Sequence, residues 1–216
     1  MKQSSLLSLA FLFLAQHAFC QDPARFQSEI DKFKADKTDY TKVDKLVVFA
    51  GSSTIRMWTD LATDFPGINL LNRGFGGSHM SDLLYYADTL ILQYKPSKVF
   101  IYEGDNDIAA GKSPEEILAG AAKLTDRIRM ELPKTKIIFI SAKPSIARWS
   151  MRDNFIRFNR LLEEFTKGRK RVYFLDTWNI MLDENGNPLG DIWLEDGLHM
   201  NRKGYDIWRE AVKKML

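Results

Sequence analysis

Cysteine and histidine are the scarcest informative side chains in this sequence. There is one cysteine, Cys20, and there are three histidines, His17, His79 and His199, in 216 residues. A single cysteine excludes an internal disulfide framework and any cysteine-rich metal site. Three histidines leave few candidates for a general base at neutral pH. Charge of one sign is also lacking. Lys and Arg number 31 against 28 Asp and Glu, a formal net charge of +3, and no basic stripe interleaves with aromatics, so nucleic acid is not the expected partner. No apolar run reaches the roughly 20 residues that span a bilayer. With 45% hydrophobic and 27% charged residues, the chain is neither collagen-like nor of low complexity. It has enough apolar content for one sizeable core.

The N-terminus reads as a secretory leader. Lys2 precedes an apolar run from Leu6 to Ala15, then Gln16 and His17, then Ala18-Phe19-Cys20. A positive start, a short apolar run and small residues two apart fit cleavage after Cys20. Two other readings stand beside it: a buried N-terminal helix, and a lipid anchor on Cys20, which Phe19 fits poorly. Cleavage leaves about 196 residues with no cysteine, two histidines and a formal charge of about +2. The expected location is secreted or periplasmic, with no stable membrane insertion after cleavage. The expected division is a leader at 1–20, an N-terminal helix and charged linker at 21–45, and the main domain at 46–216. Phe26, Ile30 and Phe33 form a narrow apolar stripe, and the mixed charges of 36–45 read as a solvated surface.

A regular alternation follows. Short apolar runs at 46–50, 68–71, 98–102, 137–140 and 172–175 read as strands buried on both faces. Helical patterns lie between them at about 53–60, 79–93, 114–132 and 151–167, and last at 202–215. Ser113-Pro114-Glu115-Glu116 is a capping box with proline at the first helical position. Five strands alternating with helices predict an α/β fold with a parallel sheet covered on both sides.

In such sheets ligands bind beyond the carboxyl ends of the strands. Small and polar residues gather there: Gly51 to Thr54, Asn72 to Ser78, Glu103 to Asp107, Ser141 to Ser145, Asp176 to Asn179, and Asp196 to Asn201 before the last helix. Ser53 follows a glycine that permits a sharp turn and would open a helix, beside N–H groups and the positive dipole end. It suits a nucleophile, and Ser52 or Ser53 equally suits a simple helix cap. Its base would be His199, which has Asp196 three residues before it, or His79, whose spacing to Asp82 looks like a helical surface pair. Gly74, Gly76 and Gly77 allow N–H groups to point into the rim, and Asn106 offers a side-chain amide donor. Asn106 could equally tie loops together. Asn72–Ser78 is neither a dinucleotide fingerprint nor a Walker loop. Trp149, Trp178 and Trp193 suit either sugar stacking or packing. Arg56 and Arg73 suit either an acidic ligand or structural pairing.

Taken together, these blocks resemble the SGNH hydrolases, the GDSL-like esterase/lipase family, across about 46–205. Val48 to Arg56 is similar to the nucleophile block and Asn72 to Gly77 to the N-x-G-x-x-G block. Gly104-Asp105-Asn106-Asp107 is similar to the G-x-N-D block and Asp196-Gly197-Leu198-His199 to the D-x-x-H block. The resemblance implies a flavodoxin-like three-layer sandwich. It also implies a Ser53, Asp196, His199 triad and an oxyanion hole of the Ser53 and Gly77 N–H groups and the Asn106 amide, without metal or cofactor. Ser52 departs from the aspartate of the GDSL name, as in a G-S-S subgroup similar to acetylhydrolases and carbohydrate esterases. The implied activity is hydrolysis of carboxylic esters, with short acyl groups on carbohydrates as the expected substrate. Arylesterase or lysophospholipase-like activity, a flavodoxin-like binding domain and a non-catalytic sugar-binding module are the competing readings. The sequence carries no signal for oligomeric state.

Overall fold

The computed structural model describes residues 22–216, and the leader expected at 1–20 lies outside them. Five strands form one parallel sheet: β1 (Val47–Gly51), β2 (Leu70–Gly74), β3 (Lys98–Tyr102), β4 (Lys136–Ile140) and β5 (Val172–Leu175). Their order is β2-β1-β3-β4-β5. The helices among the described residues are α1 (Gln27–Ala35), α2 (Ser53–Arg56), α3 (Leu61–Asp64), α4 (Met80–Tyr85), α5 (Ala87–Leu90), α6 (Asp105–Ala109), α7 (Pro114–Glu131), α8 (Arg152–Thr166) and α9 (Arg202–Lys213). None of them is long and apolar enough to cross a membrane.

The strands are apolar on both faces because both faces are covered. Successive side chains of a strand point to opposite sides. Val48, Ala50, Val99, Ile101, Ile137 and Phe139 enter a core with α1, α4, α5, α7 and α8. Their neighbours Val47, Phe49, Phe100, Tyr102, Ile138 and Ile140 enter a second core with α2, α3 and α9. The result is the three-layer α/β sandwich the sequence predicts. The order in which strands are added changes direction between β1 and β3, which places the switch point at the carboxyl ends of those two strands.

Several elements differ from their expected bounds. The second strand starts two and ends three residues later than expected, at Leu70–Gly74, because its limits follow pairing with Val47–Gly51 rather than local hydropathy. Its polar residues are satisfied sideways. Asn72 donates to the carbonyls of Ile55 and Trp58, and Arg73 donates to Tyr94 Oη and Asp36. The helix expected at 53–60 is the single turn α2, after which the chain bends to bury Trp58. The 79–93 helix breaks at Tyr86, whose hydroxyl reaches back to the Pro23 carbonyl. Helix α6 has no counterpart in the expected pattern.

Before β1, the apolar stripe of α1 packs on the sheet while residues 36–45 stay mostly exposed, as expected. Phe26 and Ile30 are buried in the first core. Asp36 pairs with Arg73 at 3.0 Å, and the Arg73 guanidinium lies over the Phe33, Tyr40 and Tyr94 rings.

Candidate active site

The nucleophile candidate sits where β1 turns into α2. Gly51 has φ +135°, and a Cβ there would run into the Tyr102 carbonyl. Only glycine lets β1 end so close to β3. Ser52 is extended (φ −84°, ψ −164°), buried, and makes no side-chain cap. Ser53 occupies the first helical position, and its hydroxyl faces His199 instead of capping the helix. Because α2 is one turn, Ser53 gains free first-turn N–H groups rather than a macrodipole. Gly74 lies against the Arg56 backbone, and Asn72 binds two carbonyls at the other end of the turn. These contacts fix the turn from the β2 side.

The acid and base candidates stand on the loop before α9. A bridge between Trp193 and Met200 closes this loop, and the Leu194 N–H donates to the His199 carbonyl at 2.7 Å. Asp196 Oδ1 accepts the N–H groups of Leu198 and His199, both at 2.9 Å. Its Oδ2 is 2.5 Å from His199 Nδ1, and His199 Nε2 is 2.9 Å from Ser53 Oγ. Partial burial works to raise the Asp196 carboxyl. The hydrogen bonds from the His199 ring and the two N–H groups outweigh it and hold the pKa at about 2. Tyr205 on α9 donates its hydroxyl to the Thr54 carbonyl at 2.9 Å, which locks the helix after His199 onto the turn that carries Ser53.

Two further rim groups lie on the loops that follow β2 and β3. Gly77 has φ +68° and is exposed. The next residue, Ser78, accepts an Asn106 Nδ2 hydrogen on its carbonyl at 3.0 Å, and the Phe75 N–H donates to the Gly51 carbonyl. The glycine loop is thereby tied to both the β1 and β3 ends. Asn106 lies in α6, which starts just after Gly104.

The second histidine among the described residues has different partners. His79 is buried, 3.5 Å from Asp107, and burial lowers its pKa. Its backbone N–H donates to Asp82, which pairs with Arg25.

The remaining candidates divide in favour of packing. Arg73 is buried and paired, and Arg56 pairs with Glu29. Trp149 stacks on Trp178 with ring centres 5.9 Å apart, and the Trp193 ring N–H donates to the Leu189 carbonyl.

A buried polar ladder beneath the rim escaped the sequence reading. Lys143 is 1% exposed, and its Nζ donates to Asp105 Oδ2 at 2.9 Å, Thr54 Oγ1 at 3.1 Å and Tyr102 Oη at 3.2 Å. Burial pulls its ammonium down to about 7. Tyr102 also donates to Asp105 Oδ2, and Arg148 spans Asp105 Oδ1 and Asn106 Oδ1. The one available signal was a lysine soon after an apolar strand. A cavity of about 850 Å³ lined by Lys45, Lys95, Lys98 and Arg171 lies at the opposite, amino ends of the strands, away from this chemistry.

Comparison with known proteins agrees with this architecture. A Streptococcus pneumonia structure is similar at TM-score 0.78 and 19% identity, over 89% of this chain and 92% of that one. A GDSL-like lipase from Bacteroides thetaiotaomicron VPI-5482 is similar at TM-score 0.70 and 21% identity, over 90% and 96%. An acetylxylan esterase from Geobacillus stearothermophilus, as a catalytic mutant, is similar at TM-score 0.63 and 16% identity, over 79% and 93%. These likenesses show the shared fold. In sequence, the chain is 23% identical over 171 residues to the rice (Oryza sativa subsp. japonica) GDSL esterase/lipase WDL1. The match spans 68% of this chain and 65% of that protein, so just under two thirds of the relative's length is covered. Residues 42–207 match the GDSL-like Lipase/Acylhydrolase family, and the chain belongs to that family.

Proposed function

We propose that this protein is a serine esterase that hydrolyses carboxylic esters through an acyl-enzyme on Ser53. The observation that carries the reading is the continuous relay from Asp196 through His199 to Ser53, with contacts of 2.5 and 2.9 Å. His199 Nε2 accepts the Ser53 proton as Oγ attacks the ester carbonyl carbon. Asp196, ionised at neutral pH, keeps the hydrogen on Nδ1 and stabilises the imidazolium. The Ser53 and Gly77 N–H groups and the Asn106 amide take the negative charge of the tetrahedral intermediate. His199 then protonates the departing alcohol, and water, activated by the same ring, releases the acid.

Short acyl groups on carbohydrates are the proposed substrates, met after export by the 1–20 leader. Short rim loops and the fold shared with an acetylxylan esterase support this choice. The test is hydrolysis of p-nitrophenyl acetate, butyrate and octanoate and of acetylated xylooligosaccharides. Ser53→Ala is expected to lower kcat by about 10³-fold or more. Near-wild-type turnover by that variant overturns the mechanism, and a preference for octanoate overturns the short-acyl assignment.

A further inference from the structure

We propose that Arg148 is a positioning residue for Asn106, holding its amide so that one N–H is presented to the developing oxyanion; this rests on the esterase reading above. An asparagine side chain has two nearly isosteric orientations. Only the one with Nδ2 toward the rim supplies a donor. In this protein each end of the amide has a partner of fixed character. The Ser78 carbonyl accepts one Nδ2 hydrogen at 3.0 Å, and the Arg148 guanidinium donates from Nη2 to Oδ1 at 2.9 Å. A flipped amide would set two donors together at Arg148 and two acceptors together at Ser78. The second Nδ2 hydrogen is left for substrate. A charge-assisted hydrogen bond onto Oδ1 also draws electron density from the amide, which makes that remaining N–H a stronger donor.

Arg148 is itself held in place. Its Nη1 pairs with Asp105 Oδ1, and the other oxygen of Asp105 accepts from buried Lys143 and Tyr102. The fork therefore bridges the side chains of two consecutive residues, Asp105 and Asn106, from two nitrogens held in one plane, a fixed geometry that a single lysine ammonium does not reproduce. The same short helical segment, Ile146–Met151, is linked to the acid–base loop. The Ala147 N–H donates to the Gly197 carbonyl at 3.0 Å. One segment thus holds the oxyanion donor and braces the turn carrying Asp196 and His199.

The experiment compares Arg148→Met, Arg148→Lys, Asn106→Ala and the Asn106→Ala/Arg148→Met double variant on p-nitrophenyl acetate, a neutral ester. Loss of the charge-assisted bond is expected to lower kcat about tenfold in Arg148→Met, with KM within about twofold. Asn106→Ala is expected to lose about 10²- to 10³-fold. The double variant is expected to be no slower than Asn106→Ala alone, because Arg148 then has nothing left to position. Arg148→Lys is expected to stay within about threefold of Arg148→Met. A multiplicative loss in the double variant, a rise in KM without a fall in kcat, or full rescue by lysine overturns the proposal. A second readout is independent of turnover. In nitrogen-15 spectra the Asn106 side-chain amide hydrogens should exchange about tenfold faster in Arg148→Met than in the wild type. Unchanged exchange overturns the proposal even if the wild type proves inactive, an outcome that would by itself refute the esterase reading.

Discussion

Replacing Asp196 by asparagine tests the relay with little change in shape. The remaining side-chain oxygen can still accept the N–H groups of Leu198 and His199, so the turn is kept. The amide nitrogen then faces His199 Nδ1, which in the wild type lies 2.5 Å from a carboxylate oxygen. A donor there demands a bare Nδ1, which moves the ring hydrogen to Nε2, the atom facing Ser53 at 2.9 Å. A protonated Nε2 cannot take the serine proton, and the imidazolium also loses its counter-charge. In serine hydrolases this exchange costs about 10⁴-fold in kcat, which is about 5.4 kcal/mol of transition-state stabilisation at about 1.36 kcal/mol per decade. The assay is kcat for p-nitrophenyl acetate from pH 6 to 9, with thermal unfolding by circular dichroism as the control. Because the turn bonds survive and the Asp196 side chain is 47% exposed, Tm is expected to move by no more than about 2 °C. Activity within tenfold of the wild type at unchanged Tm would refute the tautomer argument. A collapse in Tm would refute the claim that the turn is preserved.

Other outcomes follow from the same structure. His199→Ala should lower kcat by about 10³-fold or more. His79→Ala, at a buried site beside Asp107, should cost about 2–3 kcal/mol of stability in urea unfolding and leave the kcat of folded protein within about threefold; the reverse order would move the base to His79. Glu103 is buried beside Asp107 and Asp82, and burial raises its carboxyl well above the usual range. Its protonated form therefore stabilises the fold below about pH 4.5, and that contribution is lost as pH rises toward the folded value. Glu103→Gln should raise the urea midpoint at pH 8 and not at pH 4.5, and an equal shift at both would refute this. Lys143→Met leaves Asp105 with Arg148 and Tyr102 but breaks a buried pair. A loss of about 3 kcal/mol, seen as a Tm about 6–12 °C lower, is expected in thermal unfolding, and an unchanged Tm would show that the pair contributes nothing net.

The local sequence was enough for the layers. Runs such as Val47-Val48-Phe49 and Ile137-Ile138-Phe139 are apolar at every position, and only a strand covered on both faces buries all of them. The capped start of α7 was equally legible, since Ser113, Pro114 and Glu116 act within one turn. That Ser53 and Asn106 stand just beyond the carboxyl ends of β1 and β3 also followed from which strand each succeeds. Elements whose limits depend on partners were misplaced: β2 takes its bounds from β1, and the helix at 79–93 breaks where Tyr86 reaches Pro23.

Which histidine meets the serine was decided by tertiary structure. Ser53 and His199 are 146 residues apart, and their 2.9 Å contact depends on α9 docking beside α2 through Tyr205 and Trp58. The ladder from Lys143 through Asp105 to Arg148 and Asn106 had no sequence signature either. A buried charge is tolerable only when partners from other segments surround it, and here they come from β3, α2, α6 and the connection between β4 and α8. The sequence by itself determined the kind of sheet and the rim on which polar chemistry gathers, because periodicity and chain order are local properties. The contact between His199 and Ser53 and the bracing of the Asn106 amide required the folded chain, because hydrogen-bond geometry at about 3 Å is set by how distant elements pack.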